Sequence, residues 1–436
     1  MGKKIFRDKS IRVFDNQLVV REVSVAPVQE SKPLAFGISF QTGRALADTW
    51  KFQILGKLSE GPLSPSAFVE EVGGELSHIS RCFRQLAASG HIEIVEVRPG
   101  RQRGAALEHV YRVVRRAYFD SPAWEGVPRS KREAFSRTTL SNYFERVRRA
   151  LKAGTFDQDV DRHLSWDLVA LDLVAWQQIG NLLDDILDSL SRLEVEAAAR
   201  LAGSEEEPIP ATVGLASFRS PQSLDATLVG PRRLKGPANA NDPGAPYAIS
   251  PELAKAISNP WRYRVLMKLS ERSLSPSQYI EENGGSMTHV SRCFRELAKW
   301  GFIEVIEERK GGRHGGGKEK IYRSTRRAYF DTPTWETLPQ IAREEISQFF
   351  LDTYLARVTE AIEAGTFDAD TDRHLSWKAV SFDRKAWTQV NDTLDKTLSL
   401  LANLETQSLQ RTHNVEQLIP TVVGLTCFRS PERSST

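Results

Sequence analysis

The chain of 436 residues is 40% hydrophobic and 26% charged, long enough for two to four domains of about 100 to 200 residues each. A net charge of +3 is too small for a chain coated in cations, so contact with nucleic acid would have to come from local basic patches. Three cysteines, Cys82, Cys293 and Cys427, form no CxxC pair, and no apolar run reaches about 18 residues, which argues against a disulfide framework, a zinc site and a membrane span.

The expected setting is therefore the reducing cytoplasm, at the nucleoid if DNA is the partner, with no signal peptide, no metal and no cofactor. Residues 1–43 mix β-favouring pieces (Ile11 to Phe14, Leu18 to Val25) with Pro27, Pro33 and lysines, and read as an N-terminal arm. From Trp50 onward the chain is written twice: Trp50, Cys82, Tyr111 and His163 recur as Trp261, Cys293, Tyr322 and His374 at one constant offset. Two copies of so long a unit mean duplicated domain pairs and not a solenoid, whose repeats run to about 20 to 50 residues.

In the first copy Leu46, Trp50, Ile54, Leu55 and Leu58 predict a helix that Gly61-Pro62 stops. Ser64-Pro65 opens a second, because the serine accepts an orphan amide and proline has none to lose; the other copy has Ser275-Pro276. After Gly73-Gly74, Ser77 is expected to cap a third helix, Ser77 to Leu86, which returns as Thr288 to Leu297. Ile79, Phe83 and Leu86 share one face, while Arg81 and Arg84 point away from it. Ile92 to Val97 and His109 to Val114 then predict a hairpin with a basic, glycine-containing tip, where glycine lets backbone approach a phosphate that Arg and Lys neutralise.

Helix, glycine turn, helix and basic hairpin is the outline of a winged helix-turn-helix. Ile79 to Leu86 with Gly90 and Ile92, matched by Val290 to Leu297 with Gly301 and Ile303, resemble the recognition-helix signature of ArsR-type winged-helix regulators. The resemblance covers roughly residues 45–118 and 256–329 and implies a regulator that sets this helix in the major groove and the hairpin on the backbone. It does not imply a metal sensor: Phe68 to Val72 and Tyr279 to Asn283 lack the cysteine pair of the metal-sensing members, and Cys82 and Cys293 stand where many members have histidine. Those two cysteines flank the buried face and are expected to pack.

The candidate DNA contacts in the first copy are Ser77, His78, Ser80, Arg81 and Arg84 on the helix and Arg98, Arg101 and Arg103 on the hairpin. In the second copy they are Thr288, His289, Ser291, Arg292 and Arg295 on the helix and Arg309, Lys310, Arg313 and Lys318 on the hairpin. Arginine is assigned to guanine, the commonest specific contact; whether the serines, threonine and histidines meet bases or phosphates is open.

Beyond each hairpin lies an aromatic block (Tyr118, Phe119 and Trp124; Tyr329, Phe330 and Trp335), then a helix ending at Gly154 or Gly365. Next come Asp161-Arg162-His163-Leu164-Ser165-Trp166 and its repeat Asp372 to Trp377, strands at Leu168 to Leu171 and Ala379 to Phe382, and long helices Leu173 to Leu201 and Arg384 to Thr406 or a little beyond. Strands Ile209 to Phe218 and Ile419 to Phe428 close the copies. The Asp/His/Ser set is read as a structural corner or ligand pocket, since it falls within five positions entering a strand and lacks an oxyanion loop or nucleophile elbow; no catalytic residue is expected.

The expected fold class is α+β: two winged helix-turn-helix domains, each followed by a small helix-strand-helix-strand α/β domain. The boundaries are an arm 1–43, a winged helix 44–118, an α/β domain 119–221, a linker 222–250, a winged helix 251–329, an α/β domain 330–431 and a tail 432–436. The expected function is a sequence-specific transcriptional regulator of double-stranded DNA, one chain forming a pseudo-dimer, with self-association and a small-molecule effector left open. The alternatives are an architectural DNA-bridging protein of low specificity and a winged-helix module for protein contacts, which acidic or apolar hairpin tips would suit better.

Overall fold

The computed structural model describes residues 11–14, 17–20, 49–58, 61–99, 107–113, 126–222, 247–248, 259–310, 318–325, 328–329, 335–412 and 414–431. Residues 1–36 are a unit by themselves, described as one antiparallel hairpin of β1 (Ile11–Phe14) and β2 (Gln17–Val20). Everything below concerns the second unit, residues 37–436.

Its first head holds α1 (Thr49–Leu58), α2 (Pro65–Val72), α3 (Leu76–Ala88) and the antiparallel strands β3 (Ile92–Arg98) and β4 (Glu108–Val113). The chain continues through α4 (Arg129–Lys152), β5 (His163–Leu171), α5 (Leu173–Leu201), β6 (Ile209–Arg219) and the short β7 (Tyr247–Ala248). The second head repeats the first as α6 (Pro260–Glu271), α7 (Pro276–Asn283), α8 (Met287–Lys299), β8 (Ile303–Lys310) and β9 (Lys318–Ser324), and β10 (Ala328–Tyr329) pairs in parallel with β7. Last come α9 (Gln340–Glu363), β11 (His374–Phe382), α10 (Arg384–Arg411) and β12 (Ile419–Arg429). Mixed helix and strand is thus the class, and the elements recur in the same order in both copies.

The α/β segments 119–221 and 330–431, expected as one small domain per copy, share a single four-stranded antiparallel sheet in the order β11-β6-β12-β5. Strands of the two copies alternate, and the two strands of one copy never pair with each other. In the central pair Leu215 lies opposite Leu425, its own counterpart; His374 opposite Ser217 is matched by His163 opposite Cys427. A pseudo-two-fold axis therefore runs between β6 and β12 at that leucine pair. Pairing of His163 with Cys427 also starts β5 five residues before Leu168, so His163 to Trp166 lie in the strand while Asp161 is still in the turn that leads into it.

Helices cover both faces. On one, α5 lies over β11 and α10 over β5, burying Leu183, Ile186, Leu190, Val390 and Leu394 against Val213, Leu215 and Val423. On the other, Tyr143 of α4 and Tyr354 of α9 rest on Gly214 and Gly424, where an added Cβ would sit 2.6 Å from the tyrosine in each case. Glycine is required there so that the rings reach the sheet.

Each long helix begins on an aspartate that the other copy holds. Asp172 accepts from the Ala175 amide at 2.9 Å and is gripped by Arg411; Asp383 accepts from Ala386 at 2.9 Å and is gripped by Arg200. These pairs hold both aspartates at about 2, well below the usual carboxylate value of 3.8, the guanidinium hydrogen bond being the main cause. α10 runs a little beyond Thr406, as expected, to Arg411, the residue that grips Asp172. Arg219 with Asp370 and Arg429 with Asp159 repeat the exchange at the strand ends.

Candidate nucleic-acid interface

Each head is built from its caps outward. Ser64 accepts from Ala67 N at 3.2 Å to start α2, and Ser275 starts α7 in a capping box with Gln278. The same hydroxyls donate at 2.6 Å to Glu108 and Glu319 on the hairpins, which ties the hairpin base to the helix start. Leu63 and Leu274 add a bridge to Tyr111 and Tyr322, fixing the hairpin edge against the helices.

Between the second and third helices, Gly73-Gly74 and Gly284-Gly285 all have positive φ, 93° and 102° in the first head, 73° and 110° in the second. A Cβ on Gly74 or Gly285 would lie 3.0 Å from the ring of Trp50 or Trp261, so this turn excludes side chains on two counts. It delivers α3 and α8 with matching faces. Ile79, Cys82, Phe83 and Leu86 are buried, as are Val290, Cys293, Phe294 and Leu297, and Phe83 sits 5.2 Å from Tyr111 with Phe294 at 5.2 Å from Tyr322. Both cysteines pack as expected, and burial pushes the Cys293 thiol up, away from thiolate reactivity.

The outward face carries the predicted residues. Arg81 is exposed and has no hydrogen-bond or ion-pair partner among the described residues. Arg84 and Arg295 are exposed, and each donates its Nε at 3.3 Å to the carbonyl one turn back, Ser80 and Ser291. Arg292 is exposed too, but Glu296 holds its Nε at 3.0 Å and also pairs with Arg262 at 2.6 Å. Ser77 is not the cap expected of it: the helix starts at Leu76 behind Glu75, and the Ser77 hydroxyl donates to the Glu75 carboxylate. A serine one residue inside the first turn loses the capping position to whichever residue precedes the first helical dihedral.

The remaining helix residues divide. His78 is half-buried with Nε2 3.7 Å from the Cys82 sulfur, and His289 is exposed with its ring 5.5 Å from that of Trp261. Ser80 and Ser291 are half-buried and Thr288 is exposed.

On the hairpins the geometry is less open than the sequence implied. Arg98 donates to Glu108 at 2.8 Å, Arg309 to Glu307 at 2.6 Å and Lys318 to Glu308 at 3.1 Å. Arg98 in particular completes the Glu108–Ser64 tie at the hairpin base. Arg101, Arg103 and Arg313 lie outside the described residues; Lys310 ends β8 in register with Lys318. Sequence reading missed the glutamates: Glu108 and Glu319 lie 44 residues from the serines they bind, with no local signal to join them.

The His and Ser of the Asp/His/Ser motif do form a line, twice, but with an aspartate from elsewhere; the motif's own Asp161 accepts from Trp387 instead. Asp395 Oδ1 lies 2.8 Å from His163 Nδ1, and His163 Nε2 lies 2.7 Å from Ser165 Oγ; Asp184, His374 and Ser376 repeat this at 2.9 and 2.7 Å. The aspartate comes from the other copy's long helix and Ser165 is buried, so the line ties edge strand to covering helix across the copies.

Among the described residues no group of three or more His, Cys, Asp or Glu is placed to hold a metal ion, and no helix is long and apolar enough to cross a membrane. Comparison with protein-family models and with curated proteins finds no match for this chain.

Proposed function

We propose that the chain is a sequence-specific DNA-binding regulator in which one polypeptide carries two ArsR-like winged helix-turn-helix heads, with α3 and α8 as recognition helices. The observation that carries this reading is the matched display of Arg84 and Arg295. Each stands on the exposed face of a helix whose opposite face is used up by its own core, with Nε anchored to a carbonyl and both terminal NH2 groups left to reach the two acceptors of a guanine. The pseudo-two-fold sheet suits a near-palindromic site, since most such regulators match protein symmetry to DNA symmetry and this chain contains the symmetry within itself.

An architectural coat would rest on many free cations along the backbone. Here Arg98, Arg309 and Lys318 are each held by a glutamate, which favours base reading over bulk phosphate neutralisation. Selection of random duplexes by the full chain tests the reading: enrichment of a two-part motif is expected, and Arg84→Ala and Arg295→Ala should each relax preference in one part, by about 1 to 3 kcal/mol. A library that emerges without enrichment overturns it.

A further inference from the structure

Leu76 and Met287 are the first residues of α3 and α8, and they are 49% and 50% exposed although large and apolar. Neither belongs to the cluster that fills its head. They sit at matched positions in the two copies, with identity changed and chemical class kept.

Positions four apart form a row along one side of a helix. Leu76, Ser80 and Arg84 make such a row, and Met287, Ser291 and Arg295 make its counterpart. Arg84 and Arg295 reach back along the rows to the carbonyls of Ser80 and Ser291 at 3.3 Å, and in the second row the Ser291 hydroxyl also lies 3.4 Å from the Met287 sulfur. Each row thus presents an apolar end, a hydroxyl and a guanidinium in sequence.

We propose that Leu76 and Met287 are specificity-determining residues that read the 5-methyl group of a thymine in the major groove, one in each half-site. The inference rests on the assignment of α3 and α8 as recognition helices. In the major groove the thymine methyl is the one apolar feature that separates T·A from the other base pairs, and an exposed aliphatic or thioether side chain on the inserted helix is the chemistry that meets it. The amino-terminal end of a recognition helix is the end that enters the groove. Half of each of these apolar side chains faces solvent in the free protein and would gain apolar contact on docking.

The test uses the full chain and its selected duplex, with each thymine replaced in turn by deoxyuracil, which removes only the methyl group. One thymine per half-site should weaken wild-type binding about fourfold, the worth of one buried methyl group. Leu76→Ala should abolish that sensitivity in one half-site and Met287→Ala in the other, while each leaves the response of the opposite half-site unchanged. Both side chains are half exposed, so the variants should melt like the wild type. Equal uracil sensitivity in wild type and variants, or no sensitive thymine, overturns the inference and leaves the DNA-reading assignment standing. Failure to select any duplex overturns both.

Discussion

The first head carries Glu75 and Gln85 where the second carries Ser286 and Glu296, and the two are also mounted differently. The second head is seated on α9 by aromatic contact: the ring of Tyr263 lies 6.1 Å from Phe349 and 6.4 Å from Phe350. Beneath it Arg357 and Glu271, both buried, form an ion pair between α9 and α6. At the matching positions α4 has Thr138, Thr139 and Arg146, and Arg146 turns to Thr212, Ser430 and the Trp377 ring. Duplication has kept the core of each head and the register of the sheet, and has let the display face and the mounting drift. Conserved packing with divergent surfaces is what two readers of unlike half-sites would need.

The mounting is where the comparison can be broken most forcefully. Arg357→Ala leaves a carboxylate buried with one partially exposed lysine, Lys268, at 3.4 Å, and should destabilise the chain by about 3 to 5 kcal/mol. Arg146→Ala removes hydrogen bonds to hydroxyls and should cost about 1 to 3 kcal/mol. Denaturant unfolding of both variants measures the difference, and equal losses would mean that the two heads are mounted alike after all.

The platform is where the copies should behave identically. Asp172 and Asp383 titrate at about 2 in the folded chain, below their ordinary value. A depressed folded pKa contributes stability that is present above the unfolded pKa and lost as pH falls through the folded one, so the loss should run from about pH 4 down to about pH 2. Each is worth about 2 kcal/mol. Asp172→Asn and Asp383→Asn should flatten acid unfolding to the same extent, and a one-sided effect would show that the pseudo-symmetry stops short of the helix caps.

What the amino-acid pattern could and could not disclose follows from where the partners sit. Ser64-Pro65, Gly73-Gly74 and the Ile79/Phe83/Leu86 face are local signals, and the elements they predict are present within a residue or two. The long helices and closing strands were equally legible from periodicity. Sheet pairing was not, because β5 pairs with a strand of the other copy and both copies carry the same pattern, so composition alone cannot tell exchanged strands from separate domains. The hairpin cations illustrate the other blind spot: Arg98 and Arg309 read as free charge until Glu108 and Glu307 are seen facing them.

On the display face the contrast is between a free arginine and a held one. Arg81 can turn both edges to a base, whereas Arg292 must first give up Glu296. Arg81→Ala should therefore relax discrimination at one base pair by about 1 to 3 kcal/mol, with a smaller effect from Arg292→Ala. Binding to a panel of single-base variants of the selected duplex measures both; equal or reversed effects would sink the distinction.

The smallest expected effects come from exchanging the acids themselves. Glu296→Gln gives the second head the side chain of the first, releases Arg292 and removes a negative charge from the face proposed to approach DNA. Binding should tighten by about 0.3 to 1 kcal/mol, and the salt dependence should steepen by about one counterion because the Arg292 charge is no longer offset by Glu296. Glu75→Ser works at the other end of the helix, where a carboxylate opposes an incoming phosphate but favours the helix dipole. Its gain in affinity should come with a slight loss of stability in the first head, a loss Glu296→Gln should not share, since Glu296 lies two turns into its helix. Paired salt titrations and melts separate the two, and a Glu75→Ser variant that gained affinity with unchanged melting would place its charge effect wholly on the DNA side.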